Sequence, residues 1–265
     1  MLAERTPLDE ETRERDVEWD QKEMPFTEHL RELRNRLFVC VVTVLGLAVL
    51  LLWPAQLAIP RLTQLYFGKV QLHAFGPADA VWAIFKCAIY GAIVLGLPVI
   101  LYELWMFVVP AVHPRTRKAV YSYVAPSFFL ALLGIAFAHF LVLPRVVGAL
   151  ETITSSIAVP TYGIESTLNL ILLLFLAFAI VFQTPVVMLL LARIGLVNST
   201  LLRKYRKYIG FAMLVAGAVL APDGSPVTMT LIAAPMYVLF EISIWLIVFM
   251  EKRWKREAAA EAAAR

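Results

Sequence analysis

The sequence is poor in charge, and long stretches of it contain none. Charged residues make up 17% of the 265 residues and hydrophobic residues 60%, with a mean hydropathy of +0.75. Soluble proteins carry roughly 25% charged residues, so this composition excludes an ordinary soluble domain. The pattern predicts an all-α integral membrane protein. Six runs lack Asp, Glu, Lys and Arg altogether: Leu37–Pro60, Cys87–Tyr102, Ala119–Pro144, Ser166–Ala192, Tyr208–Pro222 and Gly224–Phe240.

Cysteine is also scarce, and its placement excludes a disulfide or metal framework. Cys40 and Cys87 each lie inside an uncharged run, with no CxxC or other metal-ligand spacing. We interpret both as small buried apolar side chains. The runs also lack an HExxH motif and a paired-aspartate helix, either of which a membrane-embedded enzyme could use. We therefore expect no catalytic residues, no metal and no cofactor.

The two ends of the chain are polar. Met1–Glu23 is rich in charged residues and has no apolar core, so we expect no cleavable signal, and residues 1–25 form a disordered cytoplasmic tail. The low-complexity segment Glu257–Arg265 favours a helix that continues the last span. Residues 26–250 then form the membrane domain, and residues 251–265 form a cytoplasmic C-terminal tail.

The six uncharged runs predict six transmembrane helices. A hydrocarbon core about 30 Å thick needs roughly 20 apolar residues. The first, third and fourth runs are long enough alone, and the second is long enough when it extends past Glu103 to Phe107. The fifth run is short, and the sixth reaches full length only with Glu241 inside the helix. Small residues in Gly91–Gly96 and Gly210–Gly217 predict close helix approach.

The basic residues between the runs set the predicted topology. Counts of Lys and Arg alternate between high and low from the N-terminal segment to the C-terminal tail, with both ends high. By the positive-inside rule both termini are cytoplasmic, which an even number of spans also requires. Because the basic residues flank apolar helices, the net charge of +4 does not indicate nucleic-acid binding. The mixed segment Pro54–Val81 is expected to form a partly ordered extracytoplasmic cap.

The segment Met24–Leu37 predicts an amphipathic helix that leads into the first span. Glu32 lies one turn before Arg36 on this helix. One interpretation is an ordinary i, i+4 salt bridge. The other is that Glu32 offers its carboxylate to a cationic ligand at the cytoplasmic surface, where planar geometry would select a guanidinium. The opposite face carries a narrow apolar stripe formed by Phe26, Leu30, Leu33 and Leu37.

The pattern F-x-x-H-L-x-E-L-R-x-R-L in Phe26–Leu37 resembles the N-terminal signature of the TatC family. The resemblance continues in order through Leu97–Ala111, Gly134–Pro144, Ala177–Pro185 and Ala234–Ile242. Several blocks at the right spans make it specific, and it covers nearly the whole predicted membrane domain. TatC proteins have six spans with both ends in the cytoplasm, and their last two spans are short. Both features agree with the topology predicted above.

The resemblance implies a translocase subunit and not an enzyme. TatC proteins bind the twin-arginine motif of signal peptides on folded precursors at the cytoplasmic face of the bacterial inner membrane. They act with single-span subunits of the TatA/TatB type, and transport draws on the proton-motive force. The expected partners are therefore twin-arginine signal peptides, these single-span subunits, further copies of the chain in a receptor complex and the lipid bilayer.

By this resemblance, Glu32 is the acid that receives the arginine pair. A second family acid, in the loop after the second span, is missing because the equivalent position is Thr116. Glu103, one turn before Phe107, is either its replacement or an interfacial carboxylate that pairs with a nearby Arg or Lys. The other residues of the expected signal-peptide surface are His29, Leu30, Leu33 and Arg34 on the first helix, and Phe107 and Pro110 at the end of the second span.

Four further polar residues lie in or beside the predicted spans. Gln183 is either an interhelical hydrogen-bond donor or, as the resemblance implies, part of the contact for a partner helix. Glu241 is either a functional intramembrane acid or a side chain that snorkels to the interface. Asp223 is expected to cap the sixth helix, and the resemblance places its turn near a functionally sensitive position. His139 is either a packed interfacial histidine or a proton relay.

A proton- or ion-coupled secondary transporter would share this composition. Such a transporter usually places several ionisable groups at the bilayer midplane and breaks its helices around the substrate. Here the acids cluster toward the cytoplasmic ends of the spans, and no internal repeat is visible. The sequence therefore favours the translocase subunit.

Overall fold

The computed structural model describes four ranges of the chain: 26–68, 72–108, 122–221 and 224–263. The elements within these ranges are helices. Three residues singled out in the sequence, Pro110, Thr116 and Asp223, lie outside them, as does the expected N-terminal tail.

The first helix, α1 (Phe26–Phe67), joins the amphipathic lead-in to the first span without a break. Its 42 residues make it about 60 Å long, twice the thickness of a hydrocarbon core. The helix therefore continues past the predicted end of the span, and the first half of the segment expected to form a cap is helical. Pro54 and Pro60 lie inside this continuation.

The second helix, α2 (Asp79–Val108), packs against α1 through small side chains. Ala55 of α1 and Ala83, Ala88 and Ala92 of α2 are all at least 96% buried. Residues without bulk allow the two backbones to approach closely, which is the usual way that helices associate in a membrane. The close packing of α1 against α2 fixes the position of the motif in Phe26–Leu37 relative to the end of α2.

The third and fourth spans are each interrupted. The third consists of α3 (Val124–Phe137), a π-helical segment (Ala138–Val142) and α4 (Leu143–Ser155), which follow one another directly. The fourth consists of α5 (Ile164–Val181) and α6 (Thr184–Arg193), which are separated by Phe182 and Gln183.

Pro185 explains the interruption of the fourth span. Proline has no N–H to donate to the carbonyl four residues earlier, which belongs to Val181. The Thr184 hydroxyl donates to the Val181 carbonyl oxygen instead, at 2.6 Å. A side chain therefore satisfies the freed carbonyl inside the membrane, where water is not available to do so.

The last two spans form an antiparallel pair of unequal length. α7 (Ser199–Leu220) has four cations in its first half, and only its last 13 residues are uncharged. α8 (Pro226–Ala263) continues through Glu241 and into the C-terminal segment, as predicted. Within the described residues, five helical stretches are long and apolar enough to cross a membrane. α7 supplies the fifth span in chain order, which brings the number of spans to six, and its uncharged part is short, as the sequence predicts.

Glycine allows the closest helix contacts, and this gives a first prediction. A Cβ atom at Gly134 in α3 would overlap the carbonyl oxygen of Phe178 in α5, whereas a Cβ atom at Gly148 in α4 would meet nothing within 4 Å. We expect Gly134→Ala to destabilise the bundle by about 1–3 kcal/mol through overpacking, or several degrees in melting temperature. Gly148→Ala, the matched control, should leave the melting temperature of the purified protein unchanged or raise it. Equal melting temperatures for the two variants would show that the α3–α5 contact is not tight.

Candidate functional site

Two carboxylates from different spans converge on one guanidinium at the start of α1. Arg36 donates from Nε and Nη2 to Glu32 Oε1, at 3.0 and 2.6 Å, and from Nη1 to Glu103 Oε2, at 2.9 Å. Glu32 and Arg36 share a face of α1 because they are four residues apart. Glu103 comes from the end of α2 that lies beside the start of α1. The side chains are 16–26% exposed, so the cluster is mostly buried and still accessible from outside.

One carboxylate oxygen of Glu32 accepts no hydrogen bond from the described residues. This Oε2 atom is buried and has no hydrogen-bond partner among the described residues. A carboxylate oxygen that is desolvated without a partner destabilises the protein that holds it, so such an atom is a place where a donor from outside would be stabilising. Two glutamates and one arginine also leave a formal charge of −1 at the site. The arrangement favours a cationic ligand with hydrogen-bond donors.

An aromatic contact fixes the same junction. The His29 ring of α1 stacks on the Phe107 ring of α2, with centroids 4.4 Å apart and an angle of 18° between the planes. His29, Glu32, Glu103 and Phe107 therefore lie together, as the sequence predicts for one surface. Leu30, Leu33 and Arg34 are exposed and face outward from α1.

The sequence alone does not identify Arg36 as the residue that joins the two acids. One of the two interpretations of Glu32 pairs it with Arg36 within α1, and one of the two interpretations of Glu103 pairs it with a nearby Arg or Lys. A signal was available in the topology, because Arg36 and Glu103 each lie at the same predicted side of adjacent spans. What was missing is the rotation of α2 about its axis, which depends on packing with α1.

Gln183 lies at the break between α5 and α6 and reaches another span. Its Nε2 donates to the Ser127 carbonyl oxygen of α3 at 3.0 Å, and the Ser127 hydroxyl accepts a hydrogen bond from Trp105 Nε1 of α2 at 2.9 Å. This polar chain links three spans, so Gln183 makes the interhelical hydrogen bond that was one of its two predicted roles. The other role, contact with a partner helix, stays a prediction. Gln183 Oε1 is buried and unpaired among the described residues.

Glu241 pairs with a cation of the neighbouring helix. Its Oε1 lies 2.5 Å from Arg206 Nε, and Arg206 also donates to the Tyr237 hydroxyl at 2.9 Å. The Arg206 side chain is half exposed, and both predicted roles of Glu241 stay predictions. His139, in the π-helical segment, shares a hydrogen bond with the Tyr66 hydroxyl of α1 and packs against Phe140. The packed role of His139 therefore agrees with the structure.

The prediction that both cysteines are buried is confirmed for Cys87 and only partly for Cys40. Cys87 is buried and Cys40 is partly buried, and both are free. In the described part of the chain, no group of three or more His, Cys, Asp or Glu side chains is placed to hold a metal ion.

The fold and the site define a class: a polytopic α-helical membrane protein in which a pair of carboxylates shares one guanidinium at one end of the first two spans. The sequence model of the family described as "Sec-independent protein translocase protein (TatC)" matches residues 28–235. The chain belongs to the TatC family. It is therefore a component of the Sec-independent, twin-arginine protein translocation system, and it has that family's six-span membrane fold.

Similar proteins support this assignment over most of the chain. The TatC protein of Aquifex aeolicus is 32% identical over 228 residues, which are 84% of this chain and 94% of that protein. TatC of Escherichia coli K12 is 34% identical over 227 residues, 83% of this chain and 87% of that one. The crystal structure of the twin-arginine translocase receptor TatC in DDM superposes with a TM-score of 0.76 at 31% identity, covering 83% of this chain and 99% of that chain.

The polar chain through Gln183 gives a second prediction. Gln183→Ala removes the hydrogen bond to Ser127, which is expected to contribute about 0.6–2 kcal/mol, and should lower the melting temperature of the purified protein by a few degrees. Gln64→Ala makes the same change at an exposed position of α1 and should have no effect. An unchanged melting temperature for Gln183→Ala would mean that the residue does not hold the spans together.

Proposed function

We propose that this chain binds the twin-arginine motif of signal peptides on folded precursor proteins, and that Glu32 and Glu103 receive the arginine side chains. The observation that carries the proposal is the pair of carboxylates from two spans that already holds a guanidinium, that of Arg36. Membership of the TatC family supports the ligand class, since a related structure is that of a twin-arginine translocase receptor.

Two carboxylates that can reach the same guanidinium would favour arginine over lysine as a ligand. A guanidinium presents several N–H donors in one plane and can bind two carboxylates at once, as Arg36 does. An ammonium is a compact point charge without that fixed geometry. The Glu32 Oε2 atom, which has no partner in the described part of the chain, adds one acceptor for an incoming donor. Selection by planar geometry accounts for a requirement for arginine in the signal.

Arg36 acts in this proposal as an internal placeholder. It neutralises the two acids in the ligand-free protein and prevents their mutual repulsion across partly buried space. Two incoming arginines bring a charge of +2 to a site of charge −1, so they would share the acids with Arg36 or take its place. The exchange replaces one set of charge-assisted hydrogen bonds by another, which keeps binding reversible.

The remaining parts of the proposal concern topology and partners. Basic residues at the start of α7 and at the end of α8 support a cytoplasmic location for these ends and for both termini, in the bacterial inner membrane. We propose TatA/TatB-type single-span subunits as partners, with Gln183 Oε1, unpaired among the described residues, as a polar acceptor for one of them. We also propose self-association in a receptor complex and dependence on the proton-motive force, which the family assignment supports.

Site-specific photocrosslinking tests the binding site directly. A photoreactive phenylalanine analogue would replace Leu33, which is exposed and adjacent to Glu32. In membranes we expect it to crosslink to a precursor with an Arg-Arg signal and not to the Lys-Lys version. The same analogue in place of Trp53, exposed further along α1, serves as the control and should not discriminate between the two signals. Equal crosslinking of both precursors at Leu33 would overturn the proposed recognition site.

The second acid is tested by Glu103→Gln. This change removes a charge from the site and should weaken binding of an Arg-Arg signal peptide by roughly tenfold, the scale of one charge-assisted hydrogen bond. Glu165→Gln is the matched control, because Glu165 also pairs with a cation across helices, Lys86, at 2.6 Å but outside the site. Binding to the purified full chain would be measured by fluorescence anisotropy. Equal affinity for Glu103→Gln and Glu165→Gln would leave Glu103 with a structural role only.

A further inference from the structure

The relative levels of α7 and α8 are fixed by contacts along their whole length. The Ser199 backbone N–H and hydroxyl donate to the Glu251 carboxylate, at 2.9 and 2.7 Å. Further along, Arg206 pairs with Glu241. Near the other end, a Cβ atom at Gly217 would lie 3.0 Å from that of Ala233. These contacts place each residue of α7 beside a known level of α8.

In this register, cations of α7 lie closer to the middle of the bundle than Glu251, which marks the start of the charged C-terminal end of α8. Ser199 lies level with Glu251, and Arg203 and Lys207 are four and eight residues further along α7. At 1.5 Å per residue they lie about 6 and 12 Å deeper than Glu251. At their level α8 carries no charge between Glu241 and Glu251, and it exposes Trp245 to 78%. The cationic surface of α7 therefore lies at the same level along the helix pair as an apolar surface of α8.

Three of these cations are available to a ligand. Arg203, Lys204 and Lys207 are exposed, and none of them makes an ion pair within the described residues. Lys204 Nζ lies 5.9 Å from the centre of the Tyr205 ring, which is also exposed. Arg206 differs, because it is held by Glu241 and Tyr237.

The surface next to these cations is apolar. Toward its other end, α7 exposes a run of hydrophobic side chains with exposed fractions of 48–80%, which are Tyr208, Phe211, Val215 and Val219. The surface thus has a cationic head region followed by an apolar strip of about 17 Å from Tyr208 to Val219, at 1.5 Å per residue. That order matches an amphiphile with an anionic headgroup.

We propose that Arg203, Lys204 and Lys207 form a binding site for the phosphate of an anionic phospholipid, whose acyl chains lie along Tyr208, Phe211, Val215 and Val219. The charges on the protein and the lipid are complementary, and clusters of Lys and Arg beside a membrane span attract anionic headgroups. The lipid also accounts for the depth of the cations. The headgroup lies at their level, so phosphate oxygens solvate three cations that pair with no carboxylate of α8 among the described residues.

Native mass spectrometry of the detergent-solubilised full chain tests the site. The probes are phosphatidylglycerol, phosphatidylcholine with the same acyl chains, and inorganic phosphate. We expect phosphatidylglycerol to be retained in preference to phosphatidylcholine. The triple change Arg203→Gln, Lys204→Gln and Lys207→Gln should reduce the retained phosphatidylglycerol at least fivefold, or about 1 kcal/mol.

The matched control removes the same charge from the end of α8. Lys252, Lys255 and Arg256 are exposed, and their change to Gln should reduce retention less than twofold. Equal losses from both triple variants would show a general effect of charge and overturn the proposal. Equal retention of the two lipids would also overturn it, as would displacement of the lipid by inorganic phosphate, which would indicate a site for a free anion. If the α7 triple variant does not fold, the three single changes are compared with the three single changes in α8.

Discussion

Polar side chains in and beside the spans pair across helices, and these pairs determine how the spans are joined. Arg36 ties α1 to α2 through Glu32 and Glu103. Gln183 ties the fourth span to α3, and Arg206 ties α7 to α8 through Glu241. Each apolar contact surface could slide or rotate with little penalty, since lipid is as apolar as leucine. The polar pairs fix register and rotation, and the apolar surfaces then pack around them.

Both proposed binding sites lie where pairing is incomplete. At the junction of α1 and α2, Glu32 keeps a buried oxygen without a partner among the described residues, and the three charges do not sum to zero. On α7 the imbalance has the opposite sign, with three cations beside a neutral stretch of α8. The two proposed ligands, a cationic peptide and an anionic lipid, carry the opposite charges. In both proposals the groups that bind the ligand also lie in or beside the contacts that hold the helices together.

The features of the fold that depend on local sequence were predictable. Uncharged runs and the alternation of basic residues locate the spans, because the bilayer imposes their length and flanking charge. The short fifth span and the close approach at Gly217 follow from composition. The junction of Arg36 with Glu103 and the hydrogen bond from Gln183 to Ser127 were not predictable, since they depend on how distant helices rotate against each other. The continuation of α1 to Phe67 was missed because prolines usually end helices in water, and here they do not.

Those prolines give α1 an uneven stiffness. Pro54 and Pro60 cannot donate to the carbonyls of Leu50 and Gln56, so two of the helix's hydrogen bonds are absent from one short stretch. The part of α1 that carries Glu32 has no proline and keeps its full set of helix hydrogen bonds, whereas the part beyond Leu50 lacks two of them. Resistance to bending therefore differs between the half of α1 that holds Glu32 and the half that reaches Tyr66.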